Sequence, residues 1–538
     1  MHSTVISRKS FIAGAAGLAA AGAASLTAAN AARATESAEP TWDHEVDFLV
    51  VGSGTAAFGA LAATEAEGAT VMIIEKHPTM FGGTSATSGA GFWIPGSPCQ
   101  AEAGVEDSLE DAAAYMKALA AGRAEDAPID AFVANAAPWL AQAAEATGAE
   151  FHIGGAQDYY DGNPGFLAYA RNSKLSGTAH DLWEKTREVL EERGVQILMG
   201  CALTRLMTDE NGAVVGVEAE ADGTPVRIKA SAVLLGTGGF DHDPQMMAES
   251  IDHPVYLTNA TEANTGDGHR AAARIGAKLA LMDTYWGTPF FYPADPATFD
   301  ASAATQFSAT SCDWNGRRGY PNAIVVNAAG KRFGDESTAY APFVRPYSNF
   351  STGSMGMDNL LGYFICDADF MKSNRLPGIT DENPEPNEWF AQADTLEELA
   401  GKLGIDAEGL AAEVERFNGF AEAGVDEDFH RGEKESGIEI FAKKVDRPEL
   451  ANPVLGPIAT PPFYGALYLD GTCGTSGGVK INEYAQAIDV DNQVIEGLYA
   501  CGNCTASISG GGYMGGGATL APGCVMGYIA ARHALGIA

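Results

Sequence analysis

The sequence predicts an α/β protein in two parts: a doubly wound nucleotide-binding domain over residues 45–282 and 456–538, and an α+β domain inserted over 283–455. Three observations carry this. An apolar strand pattern at Val46–Val51 runs into a glycine-rich turn, a helix, and a second strand that ends in an acid. Strands ending in glycines return at the far end of the chain, after Pro461. Between them, from about Asp283, the composition turns to aromatics and prolines (Tyr285, Trp286, Phe290, Phe291, Tyr292), and no strand-to-helix nucleotide pattern occurs. At 538 residues, 46% of them hydrophobic, the chain suffices for a large core in more than one domain.

Residues 1–34 read as an export signal and are set apart from the fold. Ser7-Arg8-Lys9-Ser10-Phe11-Ile12 precedes a mildly apolar Ala/Gly run and a small-residue cleavage site at Ala32-Arg33-Ala34. The pattern resembles a twin-arginine signal with Lys9 in place of the second arginine, an ordinary secretory signal being the alternative. Either implies an exported, periplasmic or extracytoplasmic protein without stable membrane insertion. Residues 35–44 form a polar linker. The net charge of −37 repels nucleic acid and anionic membranes, and makes dicarboxylate substrates awkward without a local basic pocket.

Gly52-Ser53-Gly54-Thr55-Ala56-Ala57 is a G-x-G-x-x-A turn of the Rossmann type. Gly52 permits the turn, Gly54 lets the backbone approach a pyrophosphate, and Thr55, Ala56 and Ala57 open a helix that packs on the sheet. Thr70–Ile74 reads as the second strand, ending in Glu75, where a carboxylate accepts from an adenosine ribose; Lys76 follows it at the nucleotide. Ser108–Gly148 reads as helices, and Gly200–Phe240 as a meander with turns at Asp209–Gly212 and Ala221–Thr224. Within the inserted domain, Thr395–Ala423 is an amphipathic helical pair.

Which dinucleotide is bound follows from Phe81-Gly82-Gly83-Thr84-Ser85-Ala86-Thr87-Ser88-Gly89, a second small-residue loop facing the same crevice. It resembles flavoproteins of the fumarate reductase and 3-ketosteroid dehydrogenase superfamily, in which such a loop lies along the ribityl chain and flavin. The resemblance implies FAD, with Gly82, Gly83, Thr84, Ser85, Ser88 and Gly89 beside it. It further implies nucleotide approaches at Gly238 and Gly239, at Gly502 and Asn503, and at Thr519 and Leu520, where a glycine-rich loop enters the final helix. The eight cysteines make neither a disulfide framework nor a haem, zinc or iron–sulfur motif, so no metal is expected.

From Val46 to the C-terminus the chain resembles the 3-ketosteroid Δ1-dehydrogenases, which use three tyrosines and a glycine. Carried over one by one, these fall on Tyr159 in Asp158-Tyr159-Tyr160, on Tyr340 four residues after Glu336, and on Tyr513 and Gly517 in Tyr513-Met514-Gly515-Gly516-Gly517. Asp335 stands where the family has asparagine, and the last loop lacks both family prolines, which predicts a looser loop. The resemblance implies removal of two hydrogens beside a ketone. Tyr513 and the Gly517 amide would hold the developing enolate, each donor of this kind being worth about 100- to 1000-fold in rate. Tyr340 would take the proton, assisted by Tyr159. The implied substrate is a small apolar, steroid-like ketone, with an external quinone or cytochrome as electron partner. Fumarate reductases carry an arginine at the Tyr340 position, which argues against a dicarboxylate substrate here; because the same tyrosines can run the reaction in reverse, the alternative is an exported enone or fumarate-type reductase taking electrons from a separate cytochrome or quinone.

Overall fold

The structure, a computed structural model, describes residues 41–537 except 156, 170, 293–298, 300–306, 309–315, 378 and 380–388. The export segment 1–34 and most of the linker therefore lie outside the described residues. At the centre of an eight-stranded sheet is His44–Val51, paired in parallel with Val71–Glu75 on one side and Thr224–Leu235 on the other, so that Val50 faces both Ile73 and Leu234. Phe48, Leu49 and Val50 are fully buried, the pattern of a parallel strand covered on both faces. Gln196–Met199 and Val494–Ala500 extend the sheet outward, and Gln486–Ile488 closes one edge antiparallel. The predicted meander is present as Cys201–Thr208, Val214–Ala221 and Thr224–Leu235.

Every residue of helix Ala57–Ala63 is buried. It lies so close to the final helix, Leu520–Leu535, that a Cβ on Gly59 would stand 2.9 Å from the Gly527 carbonyl oxygen. Small residues at this crossing draw the first nucleotide turn and the last helix together. The predicted helices of 108–148 are Leu109–Ala120 and Asp126–Thr147.

A second, seven-stranded sheet is organised on the long strand Phe463–Thr475. Tyr285–Phe291, Gly362–Cys366 and Ala391–Ala393 pair with it antiparallel, Leu257–Thr258 in parallel, and Ala323–Asn327 adds beyond Gly362–Cys366. The amphipathic pair, Leu396–Leu403 and Ala407–Ala423, covers this sheet with Leu399, Leu410, Val414 and Phe417 against Ile324, Ile365 and Leu467. The two sheets are joined by side chains as well as by chain: Thr475 Oγ1 accepts from the Phe240 amide at 3.0 Å. The α/β class and the α+β second part read from the sequence are those of the structure. The second sheet, however, takes its central strand Phe463–Thr475 and its partner Leu257–Thr258 from outside the residues 283–455 expected for the insert, because the chain enters and leaves that sheet through strands that adjoin the nucleotide half, where Thr475 bonds Phe240. Among the described residues no helix is long and apolar enough to cross a membrane, and no cluster of metal-ligating side chains occurs.

Candidate active site

One cavity of about 580 Å³ is lined by the nucleotide turn, the second glycine loop, the C-terminal loop and the inserted sheet's connections. At one end, Gly52 has φ +100° and a Cβ there would lie 2.3 Å from the Gly236 carbonyl oxygen, so only glycine fits. Glu75 is buried and held by three donors: the Ser53 amide at 2.8 Å and hydroxyl at 2.7 Å on one oxygen, and the His77 amide at 2.7 Å on the other. Ser53 Oγ in turn accepts from the Gly82 amide at 2.8 Å, locking the second loop onto the first. Thr84 Oγ1 accepts from Thr261 and Asn264, bringing a third segment to the same wall.

Of the residues expected at the nucleotide, Gly52, Gly54, Thr55, Glu75, Lys76, Gly83, Thr84, Ser85, Ser88, Gly89, Gly238, Gly502, Asn503, Thr519 and Leu520 line the cavity. Ala56, Ala57, Gly82 and Gly239 do not, and serve the wall from behind. The Gly82 Cβ position is filled by Trp183 and that of Gly239 by Thr475 Oγ1. Lys76 reaches the cavity, but its ammonium is committed to Asp267 at 2.8 Å and Thr265 Oγ1 at 2.6 Å, so it ties two segments together. Sequence reasoning missed Thr237 and Asn259, cavity residues whose buried Oγ1 and Oδ1 make none of the hydrogen bonds found among the described residues. Thr237 stands inside the glycine run already singled out, whereas Asn259 has no local signature.

At the other end, the three tyrosines meet. Tyr340 Oη donates to Tyr513 Oη at 2.7 Å, and the Tyr159 ring centroid lies 5.5 Å from that of Tyr340 and 5.6 Å from that of Tyr513. Trp286 packs edge-on against Tyr513 and donates from Nε1 to Asn503 Oδ1 at 2.9 Å. Burial pushes all three phenols above the ordinary tyrosine value of about 10; for Tyr159 the hydrogen bond with Tyr340 and the Arg318 charge oppose that rise. All three are therefore protonated at neutral pH, and each can donate.

Tyr340 opens the short helix Tyr340–Phe343 after a turn built by Asp335, whose Oδ1 accepts from the Ser337 amide at 2.8 Å and hydroxyl at 2.6 Å. An aspartate in the family's asparagine position thus still closes that turn. The neighbouring Glu336 is fully buried between Arg332 at 2.6 Å and Arg431 at 3.2 Å.

The loop at 513–517 is not loose, contrary to what its missing prolines predict. Asp158 and Gly515 form a backbone bridge, the Tyr159 amide donates to the Met514 carbonyl at 3.0 Å, and the buried Tyr115 hydroxyl donates to that carbonyl at 2.7 Å. Asn172 Nδ2 donates to the Gly516 carbonyl at 2.7 Å. Hydrogen bonds from distant segments replace the stiffness of proline. Asp158 itself is pinned by Arg171 at 2.7 Å and Trp93 Nε1 at 2.8 Å. Gly517 has φ +92°, and a Cβ there would meet the Phe92 backbone nitrogen at 2.5 Å.

Residues 47–520 match the FAD binding domain family, so the chain is a flavoprotein of that family and FAD is its cofactor. The bare glycine backbone, the acid at the strand end and the orphaned Thr237 and Asn259 oxygens fit such a group. More particularly, the chain belongs with the 3-oxosteroid 1-dehydrogenases. That of Mycobacterium tuberculosis (strain ATCC 25618 / H37Rv) is 31% identical over 91% of this chain and 98% of its own. A 4-oxocyclohexanecarboxylate 2-dehydrogenase of Sinomonas cyclohexanicum is also 31% identical, over 91% of this chain and 93% of its own. Among solved structures, the 3-ketosteroid Δ1-dehydrogenase of Sterolibacterium denitrificans, in complex with 1,4-androstadiene-3,17-dione, superposes with a TM-score of 0.82 at 26% identity, covering 92% of this chain and 100% of that one. The protein is an FAD-dependent oxidoreductase.

Proposed function

We propose that this flavoenzyme desaturates the carbon–carbon bond next to a ring ketone, as in the 1,2-dehydrogenation of 3-ketosteroids. The observation that carries the reading is the hydroxyl pair of Tyr340 and Tyr513, with Tyr159 against both and Gly517 in the same cavity. FAD, when bound, supplies the two-electron acceptor for the departing hydride. Everything else falls to the chain. Tyr513 Oη and the Gly517 amide donate to the ketone oxygen and stabilise the enolate that forms. In its phenolate form, which a hydrogen bond donated by the Tyr159 hydroxyl stabilises, Tyr340 takes the proton from the adjacent carbon and becomes the neutral phenol. A buried phenolate is a strong base because water does not stabilise it, and a donor hydroxyl at its side is what makes it accessible.

Relatives named for 3-oxosteroids and for 4-oxocyclohexanecarboxylate have a ring ketone in common, which supports that substrate class. The electron partner is proposed to be an external quinone or cytochrome. Export is proposed from Ser7-Arg8-Lys9-Ser10-Phe11-Ile12 and the Ala32-Arg33-Ala34 site, and sequencing the N-terminus of the mature protein tests it. The function itself is tested by assaying 3-ketosteroids, 4-oxocyclohexanecarboxylate, fumarate and urocanate in both directions, with an artificial acceptor and a reduced donor. Turnover of the ring ketones alone, with a new ring double bond in the product, is expected. Fumarate reduction without ketone dehydrogenation would overturn the reading.

A further inference from the structure

The buried arginines of the inserted part are neutralised with one exception. Arg332 is paired with Glu336 and Asp426, and Arg431 with Glu336. Arg318 is 1% exposed, lines the cavity that holds the three tyrosines, and has no carboxylate partner among the described residues. Its Nη2 donates to the Thr338 carbonyl at 2.6 Å and its guanidinium lies over the Phe343 ring at 4.7 Å, while Nε and Nη1 are buried without a hydrogen-bond partner among the described residues. Lys444 lines the same cavity. The acids that line it, Glu75 and Asp267, are at the nucleotide end and already engaged, by Ser53 and His77 in one case and by Lys76 and Arg270 in the other. Among the described residues, Arg318 therefore stands without a counter-charge in the cavity of a chain whose net charge is −37.

A guanidinium taken out of water without an anion is costly to maintain, and the cost is recovered when a ligand brings the anion. Arg318 also has the planar donor fork that suits a carboxylate. We propose that the ketone accepted by this enzyme carries a carboxylate, which the Arg318 guanidinium receives while the tyrosines hold the ketone. This rests on the reading of the site as a ring-ketone dehydrogenase and adds the second recognition element of its substrate.

The test uses the FAD-loaded enzyme, with 4-oxocyclohexanecarboxylate and its methyl ester as a matched pair and an artificial electron acceptor. The wild type should prefer the acid. Arg318→Met should lower kcat/KM for the acid about 10- to 100-fold more than for the ester, the range for losing a hydrogen bond to a charged group, and chiefly through KM. Arg318→Lys should keep part of the preference. Equal losses for acid and ester in Arg318→Met, or a wild type that favours the ester, would overturn the proposal. A titration with cyclohexanecarboxylate, which has no ketone to oxidise, separates the two readings. It should perturb the visible spectrum of the bound flavin in the wild type and not in Arg318→Met, even if neither ketone is turned over. Failure of turnover then counts against the dehydrogenase reading, and a silent titration in the wild type counts against Arg318 as a carboxylate site.

Discussion

Gly517→Ala isolates the proposed enolate site without touching a tyrosine. The added Cβ would lie 2.5 Å from the Phe92 nitrogen, about 0.9 Å short of the 3.4 Å at which ordinary contact begins, and 2.6 Å from the Phe92 Cα. Phe92 cannot give way easily, because Gly91–Trp93 pairs with Asn172–Leu175 in a three-stranded sheet. The loop must move instead, and alanine at φ +92° adds a strain of about 1–2 kcal/mol. A displacement of about 1 Å at a reacting group is enough to cost roughly 100-fold in rate. The amide of residue 517 and the Tyr513 hydroxyl share this loop, so both donors are misplaced together. We expect kcat to fall at least 100-fold while FAD stays bound, measured by steady-state turnover with an artificial acceptor and by anaerobic bleaching of the flavin in a stopped-flow instrument. An alanine variant with full FAD content and turnover within threefold of wild type would refute the assignment of an enolate-holding role to this loop.

The tyrosines should divide by task. Tyr340→Phe should be at least as damaging as Tyr513→Phe, at about 100-fold or more, whereas Tyr159→Phe should keep measurable activity; single-turnover flavin reduction ranks them, and near-normal reduction in Tyr340→Phe would reject it as the base. Glu75→Gln places a carboxamide against the Ser53 and His77 donors and should weaken FAD binding by about 10- to 100-fold, read from the fluorescence of released flavin, with an unchanged affinity removing Glu75 from the nucleotide site. His269 is fully buried, and burial pulls its pKa down to about 4 although it bonds the Gly477 carbonyl at 3.0 Å. Its folded value lies below the unfolded value of about 6.5, so its stabilisation is complete above pH 6.5 and is lost as pH falls toward 4, a change of about 3 kcal/mol. Urea midpoints of wild type and His269→Gln across that window should converge as the pH drops, and parallel curves would show that His269 does not charge on unfolding.

The nucleotide half was legible because its signal is local. Strand, glycines, helix and terminal acid from Val46 to Glu75 follow one another in sequence, and each element has its own chemistry. The tyrosines could be found only through resemblance, since residues 159, 340 and 513 share no spacing and meet through two sheets and a loop. What the sequence could not carry is the network of distant partners. Lys76 looked free to serve a nucleotide until Asp267 and Thr265 were seen to hold it. The loop at 513–517 looked slack because the hydroxyl that fixes it belongs to Tyr115, almost 400 positions earlier. Arg318 stands in no motif, and its lack of a counter-charge is a property of the assembled cavity. Glycine was the only cue at Gly82 and Gly239, and that Trp183 and Thr475 leave no room for a Cβ there could not be read from the sequence.

The bridge between Asp158 and Gly515 sets a rule for anyone redesigning this enzyme, and for the history of its relatives. One strut carries both the assisting tyrosine and the enolate-holding loop, so a change that re-aims one re-aims the other. Specificity cannot be retuned from that side without losing turnover. Ile440, Phe441 and Lys444 also line the cavity, from a segment that carries none of the residues assigned to the chemistry. Libraries that vary those positions should yield active enzymes with altered substrate range, while libraries at Asp158, Met514 and Gly515 should yield mostly inactive ones.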